Sequence, residues 1–404
     1  MAAVEFSLDW QSQYGQHRDI YFLDKVDFWR DVFPGKFACE LVQIPAGQTY
    51  KETFEPGVLV PGYSDKKVKT FAKSLIDSDR LGETIKLVAG RFYPQGIAWK
   101  PLNSFPESLT PMRLLEVNDT EVVADMNHPL CGVQLELKAT LFDTRAIGAQ
   151  RGGALQDIAE VMTANGPGMQ VPVSVADFYD KANYPFTRAD TSADALFYQK
   201  PRLVHHLDET ARSHVRAFHE RLLKPGSTVL DLMGSWESHL PDSLSSCIIE
   251  AVGLNEQELK SNGSLSRYLV QDLNMEPELP YEDQSFDAVV CTVSMEYLIK
   301  PREVMAELAR ILRPGGVCAT TVSERWFPGK QIDPWSELHP FERQGHVLSY
   351  FLNQPGFENF HTKSIRGYPR PSDDKYGPSL ALSDALYMIW ANRSVDKLLK
   401  TPGA

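Results

Sequence analysis

The run Ser227-Thr228-Val229-Leu230-Asp231-Leu232-Met233-Gly234-Ser235-Trp236-Glu237-Ser238-His239-Leu240 reads as an apolar strand that ends in an acidic residue. A tight glycine-containing turn follows, which is expected to lead into a helix. Backbone N–H groups at such a strand-to-helix turn meet anionic or polar ligands at the carboxyl edge of an open α/β sheet. Working downstream, CIIEAVGL (247–254) reads as a second strand ending at Asn255-Glu256, and Tyr268–Val270 as a third, followed by Gln271-Asp272-Leu273. SFDAVVCTV (285–293) reads as a fourth. A helix should come next, with Pro301 in its first turn and Val304, Leu308, Ile311 and Leu312 on one face. Arg313-Pro314-Gly315-Gly316 stops it, and Val317–Val322 makes a fifth strand. Short apolar runs that alternate with amphipathic helices imply a parallel α/β sheet.

Taken together, VLDL at 229–232, QDL at 271–273, SFDAVV at 285–290 and ELARILRPGG at 307–316 resemble the class I S-adenosylmethionine-dependent methyltransferases, type 11 group. The resemblance covers about residues 204–393 and implies a Rossmann-like doubly wound sheet with S-adenosyl-L-methionine as cofactor. It places Asp231, Gly234, Ser235, Trp236, Asn255, Asp272, Leu273 and Ser294 at the cofactor, with Tyr198 or Arg202 holding its methionyl carboxylate. The chain departs from the family twice. The GxGxG turn keeps only Gly234, and the second strand ends in Asn255 where an acidic residue usually grips both ribose hydroxyls. Asparagine still hydrogen-bonds a hydroxyl but lacks the charge.

Methyl transfer from a sulfonium is an in-line displacement, so positioning matters most. A base is needed only for an acceptor that is protonated at rest. The candidates are His239, Tyr297 and His339, with Glu296 beside Tyr297. His205, His206, Asp208 and His239 show no metal-ligand spacing, and no metal is expected. Arg325-Trp326-Phe327-Pro328 and Trp335…His339-Pro340-Phe341 form an aromatic insertion that reads equally as a substrate lid or as packing over the sheet edge. Arg325, Arg343, Arg366 and Arg370 fit either an acidic acceptor or a solvated face.

Upstream the rhythm changes to strands and turns. Leu135, Leu137, Ala139 and Leu141 alternate with polar residues over Gln134–Phe142, the mark of a strand with one face on a core. Just before it, Asn127-His128-Pro129-Leu130-Cys131-Gly132 resembles the NHPLAG signature of FKBP-type prolyl isomerases of the insert-in-flap kind. Gly57–Tyr63 resembles that family's G-x-x-[IV]-P-G turn, and Leu81–Thr84 with Ile85–Val88 its glycine-acidic turn and next strand. The resemblance implies a mainly β, FKBP-like domain with residues 92–125 as the inserted flap, and a pocket for proline-containing peptides. The aspartate expected after its first strand pair is absent; Glu52 is the acidic residue of that stretch.

The resulting organisation is an N-terminal extension (1–35), an FKBP-like domain (36–145), a linker and cofactor-covering segment (146–200), a methyltransferase domain (201–393) and a tail (394–404). Phe22, Leu23, Val26, Phe28 and Trp29 are expected to give the extension an apolar helix face, and Ala154–Met162 is the helical piece of the linker.

The chain has 404 residues, 43% hydrophobic and 23% charged, a globular composition long enough for two or three domains. A net charge of −12 disfavours a phosphate backbone as partner. The 5 cysteines lie singly with no CxxC, so neither a disulfide framework nor a zinc ribbon is expected. The opening residues do not read as a secretory signal, and no apolar run spans a bilayer, so a cytoplasmic setting is expected. The leading expectation is methyl transfer to a small-molecule acceptor, with the N-terminal domain as an accessory. The alternatives are a chaperone-like, proline-gripping protein on a degenerate methyltransferase scaffold, and a protein methyltransferase.

Overall fold

The computed structural model describes residues 1–77, 86–144, 154–164, 166–172, 186–333 and 335–395. The chain forms two units, Met1–Asn183 with Leu338–Gly345, and Tyr184–Glu337 with His346–Ala404.

The first unit opens with two strands, β1 (Ala2–Gln11) and β2 (Gln16–Val26), and the short helix α1 (Phe37–Leu41). They are followed by β3 (Thr49–Phe54), β4 (Val68–Ala72), β5 (Phe92–Pro94), the single turn α2 (Trp99–Leu102), β6 (Pro111–Val117), β7 (Glu121–Asp125), β8 (Leu135–Thr144) and α3 (Ile158–Thr163). One antiparallel sheet runs β2-β1-β8-β3 and a second runs β4-β7-β6-β5. Alternation explains the first. Leu135, Leu137, Ala139 and Leu141 of β8 are buried, as are Val4, Phe6, Leu8 and Trp10 of β1, in a core that includes Phe37 and Phe54. Burying each large apolar side chain contributes about 1.5–3 kcal/mol. The second sheet has its own core around Phe71, Tyr93, Met112, Leu114 and Val122.

Several expectations are corrected here. Residues 2–26 are not an extension with a docking helix but a hairpin of the first sheet, and Trp29 is 86% exposed. The inserted sheet begins at Val68, ahead of the expected 92. The helix expected from Ala154 starts at Ile158, where Asp157 caps it by accepting from the Ala159 and Glu160 N–H groups. The segment 146–200 is not one linker: described residues up to 172 belong to the first unit and those from 186 to the second. The expected turn at Leu81–Thr84 lies outside the described residues.

The second unit contains α4 (Asp194–Phe197), α5 (Glu209–Leu222), β9 (Thr228–Leu232), β10 (Ile248–Gly253), α6 (Glu256–Ser261), β11 (Arg267–Val270), β12 (Phe286–Thr292), α7 (Pro301–Ile311) and β13 (Leu312–Ser323). After the helix α8 (Pro340–Leu352), whose first residues fall in the other unit, come β14 (Phe357–Arg366) and β15 (Leu386–Arg393). The strand order is β11-β10-β9-β12-β13-β15-β14, parallel from β11 to β13, with β15 antiparallel to both its neighbours. This is a doubly wound sheet whose order reverses between β9 and β12, the crevice where ligands bind in such sheets. All five expected parallel strands are present. α5 buries Ala211, Val215, Phe218 and His219, one face at helical spacing, and α7 buries Val304, Met305, Leu308 and Ile311.

One expected element is missing. No α-helix follows the Gly234 turn. Residues 233–247 form an irregular loop with a single 3-10 turn at Asp242–Leu244, and Met233 and His239 take positive φ of 56° and 52°. Pro241 has no N–H to give a helix, and the polar residues around it bond locally.

Candidate functional site

A cavity opens at the carboxyl ends of β9, β10 and β12, and residues from β9 and from the loops after all three line it. Twelve of the thirteen site residues expected from sequence line it: Tyr198, Arg202, Asp231, Gly234, Ser235, Trp236, His239, Asn255, Asp272, Leu273, Ser294 and Tyr297. His339 does not. It falls in the other unit, where its ring Nδ1 accepts from the Phe341 N–H at 3.3 Å.

Asp231, the last acidic residue of β9, is buried, and its Oδ2 has no hydrogen-bond partner among the described residues. Burial raises its carboxyl to about 6, against the opposing pull of the Ser238 hydroxyl. Desolvation disfavours the charged form, which a cationic ligand would restore. The turn beyond it is tight. The Gly234 N–H donates to the Val252 carbonyl at 2.9 Å, and a Cβ on Gly234 would lie 2.8 Å from Asp231 Oδ2.

Arg202 is held on the other side by the segment before α5. Its guanidinium lies 4.6 Å from the Phe197 ring centre, 5.1 Å from Phe327 and 5.5 Å from Tyr198, and Nη2 donates to the Phe197 carbonyl at 3.0 Å. Nη1 is buried without a partner among the described residues. One cavity therefore holds an orphaned acceptor and an orphaned cationic donor, each costly to bury unless a ligand completes it.

Asn255 does not present a free amide. Its Nδ2 donates to the carbonyls of Tyr198 at 2.7 Å and Gln199 at 3.1 Å, while Oδ1 accepts from the Glu258 N–H at 3.0 Å and caps α6. Glu256 beside it faces outward and pairs with Lys260 at 2.9 Å. The acidic group at this end of the cavity is Glu258, which accepts from the Arg202 N–H and from the Ser235 hydroxyl, both at 2.6 Å. Sequence reading missed it, although Asn255-x-x-Glu258 has the spacing of a helix cap.

The irregular loop is tied down in turn. Asn262 Nδ2 donates to Ser235 O and Ser238 Oγ, both at 3.0 Å, and His219 Nδ1 donates to the His239 carbonyl at 3.0 Å. Trp236 Nε1 donates to the Val204 carbonyl at 3.3 Å, and its ring lies against His205 at 4.6 Å. Burial works against the Glu237 carboxylate, but His239, His205 and Arg212 around it hold it down at about 2. Trp236 thus lines the pocket and pins its covering segment.

Tyr297 is buried, accepts from the Phe327 N–H at 2.9 Å, and is pushed well above the usual phenol range by that burial. A phenol in that state stays protonated near neutral pH. Phe327 packs against Phe197, Tyr198, Tyr297 and His206, so this part of the aromatic insertion faces the cavity. Trp335 is fully buried and packs instead. Arg370 is neither solvated nor at the cavity: it is buried and pairs with Asp384 at 2.5 Å and Asp208 at 3.4 Å, fixing the segment that carries His205 and His206. Asp272 accepts from the Asn274 N–H at 2.9 Å, and Asn274 donates to the Tyr297 carbonyl at 2.9 Å. Among the described residues no three His, Cys, Asp or Glu side chains converge as metal ligands. No helix among them is long and apolar enough to cross a membrane.

Residues 247–320 match the family Methyltransf_11, described as "Methyltransferase domain". Over 215 residues the chain is 28% identical to the ubiquinone/menaquinone biosynthesis C-methyltransferase UbiE of Bartonella tribocorum, covering 50% of this chain and 74% of that protein. It is 30% identical to the methyltransferase GfsG of Streptomyces halstedii over 152 residues, which are 35% of this chain and 55% of that protein. It is also 30% identical over 138 residues to a "Probable S-adenosylmethionine-dependent methyltransferase" of Mycolicibacterium smegmatis, covering 33% and 52%. The chain therefore spans only about half the length of the last two. The strand order, the glycine turn after β9 and these matches agree: the C-terminal region of the chain carries a class I S-adenosylmethionine-dependent methyltransferase domain.

Proposed function

We propose that the chain transfers the methyl group of S-adenosylmethionine to a small-molecule acceptor, with its first unit as an FKBP-like accessory. The observation that carries the cofactor geometry is the pair of orphaned atoms, Asp231 Oδ2 and Arg202 Nη1. They suit the two ends of the cofactor's amino acid, the ammonium on Asp231 and the carboxylate on Arg202. Bound there, the cofactor supplies an electrophilic methyl carbon. The chain's own residues orient and enclose it: Tyr198, Trp236 and Phe327 exclude water, and Tyr297 offers a neutral hydroxyl. The FKBP-like reading is supported by the β2-β1-β8-β3 sheet with a second sheet inserted between β3 and β8, and by the turn at His128-Pro129, where His128 Nδ1 accepts from the Leu130 N–H at 3.0 Å.

The test uses methyl-labelled S-adenosylmethionine, the full chain and a small-molecule extract, followed by separation of low-mass from protein-bound label. Label in the low-mass fraction is expected. Label confined to protein would overturn the small-acceptor reading in favour of a protein methyltransferase. For the first unit, acceleration of prolyl isomerisation in a proline tetrapeptide, or saturable binding of a proline-containing peptide, is expected. Neither effect at millimolar peptide would reduce that unit to a structural role.

A further inference from the structure

The end of β10 lacks the carboxylate that a nucleoside diol calls for, and the asparagine in its place has both ends of its amide engaged. The carboxylates that line the cavity are Asp194, Asp231, Glu237, Glu258 and Asp272. Asp194 is committed to Arg188 at 2.8 Å, Asn274 at 3.0 Å and Lys330 at 3.2 Å. Glu237 faces His205, His239 and Arg212. Asp272 accepts from the Asn274 N–H and lies after β11, not at the end of β10, and Asp231 lies at the glycine turn. Glu258 differs. It lies in the first turn of α6, three residues after Asn255, and among the described residues each of its oxygens accepts a single hydrogen bond. A carboxylate oxygen has room for two, so one acceptor direction on each oxygen remains for a ligand. Two parallel acceptors match two vicinal hydroxyl donors.

We propose that Glu258, not Asn255, receives the ribose hydroxyls of the nucleoside cofactor and selects a ribose over a deoxyribose. The assignment rests on the cofactor reading above. Asn255 then acts as a positioning residue. It holds the Tyr198–Gln199 backbone over the cavity and orients Glu258 through the cap, while Ser235 and the Arg202 N–H fix the carboxylate itself. The same carboxylate joins the loop after β9 to the covering segment, so the cofactor's hydroxyls would close on a group already held from both sides.

The experiment is isothermal titration of the full chain with S-adenosylhomocysteine and with its 2′-deoxy counterpart, for wild type, Glu258→Gln and Asn255→Ala. Hydrogen bonds to a charged group are strong enough that wild type should prefer the ribose form by about tenfold or more. Glu258→Gln should bring that preference to within about threefold of unity. Asn255→Ala should weaken both ligands alike and keep the preference, as a positioning role requires. A ribose preference that survives in Glu258→Gln and vanishes in Asn255→Ala would overturn the assignment. Failure of wild type to bind either ligand would instead sink the cofactor reading itself. A structure of the wild-type complex decides without any variant: the hydroxyls must lie within hydrogen-bond distance of Glu258, and hydroxyls bonded elsewhere would contradict it.

Discussion

Gly234 and Gly253 approach each other so closely that a Cβ on Gly253 would lie 2.3 Å from the Gly234 carbonyl oxygen. The two glycines stand at the ends of adjacent parallel strands, where the turn after β9 crosses over β10. A turn with one glycine can be this tight because the neighbouring strand supplies the second small residue.

Gly253→Ala should therefore cost more than Gly234→Ala. The first drives a methyl into backbone, the second into the Asp231 carboxylate at 2.8 Å, which has some freedom to move. Overpacking of this kind typically costs about 1–3 kcal/mol, and Gly253→Ala should sit at or above the upper end. Chemical denaturation of both variants checks the order; equal and small losses would contradict it.

Burial of Asp231 gives a pH dependence with a definite sign. Its folded value, about 6, lies above the ordinary 3.8. Its contribution to stability is thus complete below about 3.8 and is lost as pH rises through about 6. Asp231→Asn should remove that loss and stabilise the free protein above pH 6, by up to about 3 kcal/mol. Wild type should also gain S-adenosylhomocysteine affinity as pH rises through about 6 and the carboxylate ionises, and Asp231→Asn should abolish that gain. Denaturation and titration calorimetry between pH 5 and 8, on both proteins, check the two effects.

His219 works in the opposite direction. Burial lowers its ring from the ordinary 6.5 to about 4, against the bond to the His239 carbonyl. Its contribution is present above pH 6.5 and is lost as pH falls toward 4. His219→Gln keeps a donor for that carbonyl and should flatten the acid side of the stability curve by up to about 3 kcal/mol. An unchanged acid slope would show that the ring titrates normally.

Much of this was legible in the sequence because apolar strands and their stops are written locally. VLDL and SFDAVV fall where β9 and β12 lie, and α7 ends at Ile311, just before Arg313–Gly316, which already belong to β13. The N-terminal hairpin was missed although Val4, Phe6, Leu8 and Trp10 alternate with Glu5, Ser7 and Asp9, a period-two signal. The irregular spacing of Phe22, Leu23, Val26, Phe28 and Trp29 drew the reading toward a helix instead. No sequence spacing says that 338–345 groups with the first unit, although His339 follows the aromatic insertion of the second. Gly253 and Glu258 were invisible for a related reason. Their roles arise from contacts with Gly234, Ser235 and Arg202, each made across the fold.

Arg202 offers a test of the amino-acid end alone. Arg202→Met retains bulk among Phe197, Tyr198 and Phe327 but removes the cation. S-adenosylhomocysteine should weaken by about tenfold or more. 5′-Methylthioadenosine, which lacks the carboxylate, should change by less than about threefold. Equal losses for both would mean that Arg202 only packs.

A working cofactor site behind the single-glycine turn should show in thermal unfolding with S-adenosylhomocysteine. At about a hundredfold over its dissociation constant the ligand should stabilise the wild-type chain by about 2.7 kcal/mol. Asp231→Ala should abolish the shift. No shift at millimolar ligand would mean that the cavity behind Gly234 does not bind the cofactor.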